Sequence, residues 1–209
     1  MILINNYILK KLLLFTIALV LLTCAPVQAS NVNAIKTAIV KHSIEMGVDP
    51  AITLSIAKIE SGYRQEARSA GGAVGVFQLM PSTARRMGLN PYSMEGNVKA
   101  GVMYYKSMYK MFGSTELALA AYNAGPGNVK RYGGAIPPYS ETRRFVNQIM
   151  LEYNRQKTNP DPAIVKVTAA KSPMPAKKTE IKNTPKPIEL PNLNEIPEVK
   201  QSEPVMEIL

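Results

Sequence analysis

The sequence predicts a mainly α-helical fold with at most one small β-hairpin. Apolar residues recur at helical spacing through most of residues 30–157, no run alternates convincingly with period two, and helix punctuation separates the apolar runs. Residues 30–157 are long enough for one domain around one core. The expected organisation is therefore an export signal over 1–29, a single helical globular domain over 30–157, and a disordered tail rich in Pro and Lys over 158–209.

The first 29 residues carry Lys10 and Lys11, an apolar run from Leu12 to Leu22 and a small-residue site at Ala29, so cleavage before Ser30 is expected. The run is shorter than the roughly 20 residues of a comfortable membrane span. Cys24 follows Leu21, Leu22 and Thr23, which keeps a lipoprotein as a minority alternative, although Thr is a poor residue before a lipidated cysteine. Contact with a membrane is expected only if Cys24 is lipidated.

Val32, Ile35, Ile39, His42 and Met46 form the stripe of a first helix stopped by Gly47. Asp49-Pro50 starts a second, because Asp accepts free N–H groups of the first turn and Pro at the first helical position sacrifices no hydrogen bond. Ile52, Ile56 and Ile59 are its apolar residues and Gly62 its stop. Gly71, Gly72 and Gly75 then mark a turn, the place for any hairpin (Gly71–Phe77), and a short helix runs from Pro81 to Gly88. Ser93 caps a long helix with Val98, Gly101, Val102, Tyr105, Met108, Tyr109 and Phe112 inward, ending at Gly113. Ser114 caps an Ala-rich helix through Leu117 and Ala121, which the sequence from Tyr122 to Gly127 stops. Ser140 starts a last helix with Phe145, Ile149 and Tyr153 inward. From Thr158 nine prolines and few aromatics predict an extended tail.

Glu60 is the informative acid. It falls in the last turn of the second helix, one turn after Ile56, and so close to the buried stripe. Burial penalises a carboxylate, and the negative end of the helix dipole penalises it again; both raise the pKa, as a general acid requires. On spacing alone an exposed helix-end Glu is an equal alternative.

Four blocks occur in order: residues 57–63 (AKIESGY), 69–81 (SAGGAVGVFQLMP), 120–126 (AAYNAGP) and 138–146 (PYSETRRFV). Together they resemble the catalytic domain of the lytic transglycosylases of goose-lysozyme-like fold, over about Val32 to Tyr153. The resemblance implies a lysozyme-like α+β fold and peptidoglycan as substrate. It implies Glu60 as catalytic acid and then base, with Ser61 supporting the glutamate and the substrate acetamido group. Gln78, Met80, Tyr122, Asn123 and Tyr139 are implied as glycan-binding residues. Two departures stand out: Val76-Phe77 replace the family's Leu-Met before the glutamine, and Phe145 replaces a Tyr. Neither is expected to touch the acid.

Most glycosidases flank the bond with two carboxyl groups. Glu66 lies in a polar surface run, and Glu45, Asp49, Glu95 and Glu116 have simpler roles at helix ends. Glu141, in the first turn after Ser140, is expected to be structural or positioning. A single acid suits the family's reaction, in which the muramyl N-acetyl group stabilises the developing cation and a 1,6-anhydro sugar forms at the cut MurNAc-GlcNAc bond. A lysozyme-like muramidase and a non-catalytic peptidoglycan-binding module are the alternatives.

His42 is the only histidine and sits at helical spacing, which leaves no base for a Ser/His/Asp or Cys/His arrangement. With one cysteine, in the export segment, a thiolate metal cluster is excluded; no cofactor and no metal are expected. The net charge is +10, and residues 30–157 hold 16 Lys and Arg against 8 Asp and Glu, whereas 158–209 hold 7 against 7. The excess therefore lies on the globular part and suits an anionic cell-wall polymer rather than nucleic acid, for which no motif is present. A periplasmic monomer is expected, with an envelope-spanning secretion or conjugation machine as a partner the tail is compatible with.

Overall fold

The computed structural model describes residues 10, 11 and 31–171; apart from Lys10 and Lys11, the expected export signal with Cys24 lies outside the described residues, as does the chain beyond 171. Asp49 opens α2 (Pro50–Ser61) by accepting the Ala51 N–H at 2.9 Å, and Gly62 closes it in the left-handed region at φ 59°. Every residue from Ala51 to Ala57 is buried. A helix enclosed to that degree must be surrounded, and α2 packs chiefly on α7 (Ser140–Thr158) and also on α4 (Met94–Phe112).

The first helix, α1 (residues 31–45), joins α2 through Ile35 and Ile39 in the core and through the Ser43 and Thr53 hydroxyls, 2.7 Å apart. His42 is buried on the seam towards α4, with Nε2 2.6 Å from Glu95 and Nδ1 3.2 Å from Glu45. The short α3 (Pro81–Arg86) leads to α4, which Ser93 caps by accepting the Gly96 N–H. Ser114 caps α5 (Thr115–Ala124), whose fully buried Ala118, Ala120 and Ala121 bring it close to α4 and α7. Gly125 ends α5 and at once opens α6 (Pro126–Arg131), a helix hidden in what reads as a plain stop: the Pro after Gly125 starts a new helix rather than a coil.

Helical structure continues past residue 157. Helix α7 runs to Thr158, and after a short turn α8 (Pro162–Lys171) follows, with Ala163, Ile164 and Val167 packed against the core. Asp161-Pro162 is the same start signal as Asp49-Pro50: the Asp161 carboxylate accepts the Ala163 N–H at 3.0 Å while its other oxygen pairs with Lys36 of α1 at 2.7 Å. Proline content, read as a mark of extended chain, conceals this helix start. Glu152 is buried on α7 and bonded by Lys58, Arg155 and Gln156. Those bonds, Arg155's foremost, hold its carboxyl down to about 2. α2 and α7 are thereby tied by charge as well as by packing.

Among the described residues there is no strand. The expected hairpin is reduced to two isolated antiparallel bridges that share Val74, one to Arg68 and one to Leu79, around a turn with Gly75 at φ 78° and Gln78 at φ 42°. Asn97, fully buried on α4, anchors this turn: its Oδ1 accepts the Phe77 N–H at 2.9 Å, and its Nδ2 donates to Val74 at 2.9 Å and Pro91 at 3.0 Å. Two glycines make room for the contact. A Cβ on Gly75 would lie 2.4 Å from Asn97 Nδ2, and one on Gly101 would lie 2.1 Å from the Phe77 ring.

Replacing Asn97 with Ala strands a buried N–H and two carbonyls and is expected to destabilise the domain by about 2–4 kcal/mol in urea unfolding; an unchanged midpoint would show that the turn is held otherwise. A chain ended after residue 157 uncovers Gln156 and the apolar residues beneath α8. It is expected to lose about 2–4 kcal/mol relative to one ended after 171, read by the same titration.

Candidate active site

Glu60 sits one residue before the end of α2, where the buried helix emerges. It is half-buried and lines a cleft with Ile59, Asn123, Glu141, Arg144, Phe145 and Gln148. Among the described residues no hydrogen bond reaches its carboxyl. Desolvation by the surrounding protein raises the Glu60 carboxyl to about 8, and the negative charge of Glu141 adds to the rise. A group so placed holds its proton at neutral pH and is poised to give it up, the property of a general acid. Of the two readings that spacing left open, the exposed helix-end Glu is set aside.

The other expected site residues occupy different depths. Asn123 lies in the same cleft, with its Oδ1 accepting the Thr142 hydroxyl at 2.7 Å. Tyr122 stands behind it in the core, donating its hydroxyl to the Phe77 carbonyl at 2.8 Å and stacking on Phe145 with ring centroids 6.3 Å apart. Burial, then the Glu60 charge, pushes the Tyr122 phenol well above its usual range, so it stays a hydrogen-bond donor. Ser61 is buried: its hydroxyl donates to the Val76 carbonyl at 2.8 Å and accepts the Arg64 N–H at 3.0 Å, fastening the end of α2 to the glycine turn. Gln78 commits its NH₂ to the carbonyls of Gly75 and Ala67, which leaves its Oε1 as acceptor. Met80 is 43% exposed where α3 begins. Tyr139, half-buried ahead of α7, meets Tyr132 edge-on at 5.8 Å and donates to Asn128. Ser61, Gln78, Met80 and Tyr139 are not in the wall of the Glu60 cleft.

Sequence reasoning missed one wall of that cleft. Glu141, Arg144, Phe145 and Gln148 stand at i, i+3, i+4 and i+7 of α7, a single helical face. The helical stripe is legible in sequence, where Phe145 reads as an inward core residue and Glu141 as a structural or positioning acid, but nothing there places Arg144 and Gln148 in the cleft. The expectation that the Phe145 departure does not touch the acid is corrected, since this ring shares the wall with Glu60. A phenyl ring supplies no hydrogen bond to a carboxylate, which leaves desolvation as the first cause of the raised Glu60 pKa. Among the described residues no group of three His, Cys, Asp or Glu could hold a metal.

Residues 37–139 match the model of the transglycosylase SLT domain. The chain is 31% identical over 127 residues to the soluble lytic murein transglycosylase of Escherichia coli K12, covering 49% of this chain and 20% of that protein. It is 33% identical over 135 residues to membrane-bound lytic murein transglycosylase F of Histophilus somni, covering 55% of this chain and 28% of the relative. An inactive Glu-to-Gln mutant of lytic transglycosylase Slt from Pseudomonas aeruginosa superposes with a TM-score of 0.52 at 28% identity, over 60% of this chain and 25% of that one. The chain thus spans about a fifth to just over a quarter of the length of these relatives.

The raised Glu60 pKa has a sign that stability can report. The folded state keeps a proton that the unfolded chain loses near 4.5, so the stability from this group is complete at low pH and is lost as pH rises towards 8. Glu60→Gln removes the titration and is expected to raise stability at pH 7 by up to about 3 kcal/mol. The gain should vanish below about pH 4.5 in paired thermal melts, and equal melting points at pH 7 would contradict a desolvated carboxyl. Glu141→Gln is expected to lower the Glu60 pKa, as followed by carboxyl carbon NMR.

Proposed function

Because residues 37–139 belong to the transglycosylase SLT domain family, we propose that this protein is an exported lytic transglycosylase that cleaves the MurNAc-GlcNAc β-1,4 bond of peptidoglycan without consuming water. The single observation that carries this is a carboxyl raised to about 8 in a cleft shared with Asn123. Glu60 donates its proton to the glycosidic oxygen as the muramyl C1–O bond breaks, and the muramyl N-acetyl oxygen stabilises the positive C1. The Glu60 carboxylate then takes the proton of the muramyl 6-hydroxyl while that oxygen bonds to C1. A 1,6-anhydromuramic end and a free GlcNAc 4-hydroxyl result, and Glu60 regains its proton.

Asn123 presents its Nδ2 to the glycan, since its Oδ1 is held by Thr142, and Gln78 offers Oε1 for an amide or hydroxyl donor. Met80, exposed, and Tyr139, half-buried, lie outside the cleft wall and would meet sugars further along the strand. Ser61 and Tyr122 act by position: one holds the turn that carries Gln78, the other fills the space behind the cleft. Glu141 supports the proton on Glu60 electrostatically. The basic balance of the globular part attracts the cell wall, and the periplasm is the compartment, with the segment 1–29 as export signal and Cys24 as a minority lipid anchor.

Glu141 is also the observation that favours a second reading. Two carboxyl groups in one cleft are what a muramidase uses, with the second activating water. Mass spectrometry of digested sacculi separates the two: 1,6-anhydromuramic products are expected, and reducing muramic ends alone would establish the hydrolase. Glu60→Gln is expected to lower turnover at least 10²-fold while the protein still sediments with sacculi. Wild-type activity should fall above about pH 8 as Glu60 loses its proton.

A further inference from the structure

We propose that Arg144 is a specificity-determining residue of the cleft, which binds a free carboxylate of the peptide stem carried by the glycan strand and so favours strands with charged stems. The inference rests on the reading of the cleft as a peptidoglycan site and adds to it the feature of the strand that is selected.

Four cations of this fold are matched by acids. Lys36 pairs with Asp161, Lys58 and Arg155 with Glu152, and Lys157 with Asp49. Arg144 differs. It is exposed in the wall of the Glu60 cleft and stands one turn beyond Glu141 on the same face of α7. That i, i+3 spacing is suited to an ion pair, yet among the described residues Arg144 forms neither an ion pair nor a hydrogen bond. A guanidinium left unclaimed beside two carboxyl groups is available to a ligand.

The chemistry of the strand says which ligand. The sugars offer hydroxyl and acetamido groups, all neutral, and the muramyl lactyl group is amidated by its stem. The negative charges of a stem-bearing strand are the stem carboxylates. The stem leaves the strand from O3 of the muramyl sugar, the same sugar whose C1 is opened beside Glu60. A cation in this wall is therefore on the side from which a stem carried by that sugar can reach it with a carboxylate. Arginine suits the task because its planar fork takes a carboxylate with two parallel hydrogen bonds, which lysine cannot reproduce. Without such a cation, the Glu141 carboxylate would repel the stem.

The test compares soluble stem-bearing strands with the same strands after carbodiimide amidation, which neutralises the carboxylates and leaves the stem in place. Wild-type kcat/KM is expected to drop about 5–20-fold on amidation. Arg144→Ala is expected to show that lower value on both substrates, Arg144→Lys to fall between, and Arg143→Ala, outside the cleft wall, to behave as wild type. If Arg144→Ala remains as sensitive to amidation as the wild type, the proposal is wrong, whatever its absolute rate. Binding of the same strands is also measured in the Glu60→Gln background, with and without Arg144→Ala. Should the wild type cleave neither substrate, the lytic reading fails, and this binding comparison alone decides the role of Arg144: a preference for charged stems that vanishes with Arg144→Ala upholds it, and any other result rejects it.

Discussion

Helix α2 is enclosed over seven consecutive residues, and the position of Glu60 follows from that enclosure. A helix surrounded by α1, α4 and α7 has no freedom to slide or rotate, so the residue at which it leaves the core is set to within a side chain. That residue is Glu60. Water is excluded from much of its carboxyl by the packing that stabilises the helix, and the resulting penalty on the charged form raises its pKa to about 8. Core packing and acid chemistry here are two consequences of one burial.

Two structures hold the neighbourhood of the acid. On one side the glycine turn is pinned from three directions, by Asn97 from α4, by the Ser61 hydroxyl from the end of α2 and by the Tyr122 hydroxyl from α5. Each of those bonds ends on the backbone of Val74 to Phe77 or of Pro91 next to α4, so the turn keeps its shape without a sheet. On the other side α7 presents its polar stripe to the cleft while Phe145, Val146 and Ile149 enter the core. The far end of α7 is fixed to α2 by Glu152 and its bond from Lys58.

The glycine turn shows how a small motif is legible in part. Gly75 and Gly101 mark close approaches, but that Asn97 and Phe77 are what approach them is a matter of tertiary contact. Asn97 lies in a helix whose apolar stripe holds for Val98, Gly101, Val102, Tyr105 and Met108 but not for Tyr109, expected inward and in fact exposed where the helix nears its end, and an amide beside such a stripe carries no sign of its partners.

Local chemistry made most of the helices legible. Asp49-Pro50, Ser93, Ser114, Gly62 and Gly113 act within one turn of themselves, so their meaning is independent of the rest of the chain. The same logic, applied to Asp161-Pro162, would have shown α8, had the proline content of the tail not been read as a whole. The four blocks pointed to Glu60 and Asn123 in the cleft, and by itself the sequence also determined where the excess charge lies. Tertiary structure alone decided that Glu141, Arg144 and Gln148 face the acid, that Ser61 and Tyr122 turn their hydroxyls to backbone carbonyls, and that Phe145 lines the site. The reason is physical: a cap or a stripe is encoded by near neighbours, whereas a cleft is formed by the relative placement of α2, α5 and α7, which depends on how all their side chains pack at once.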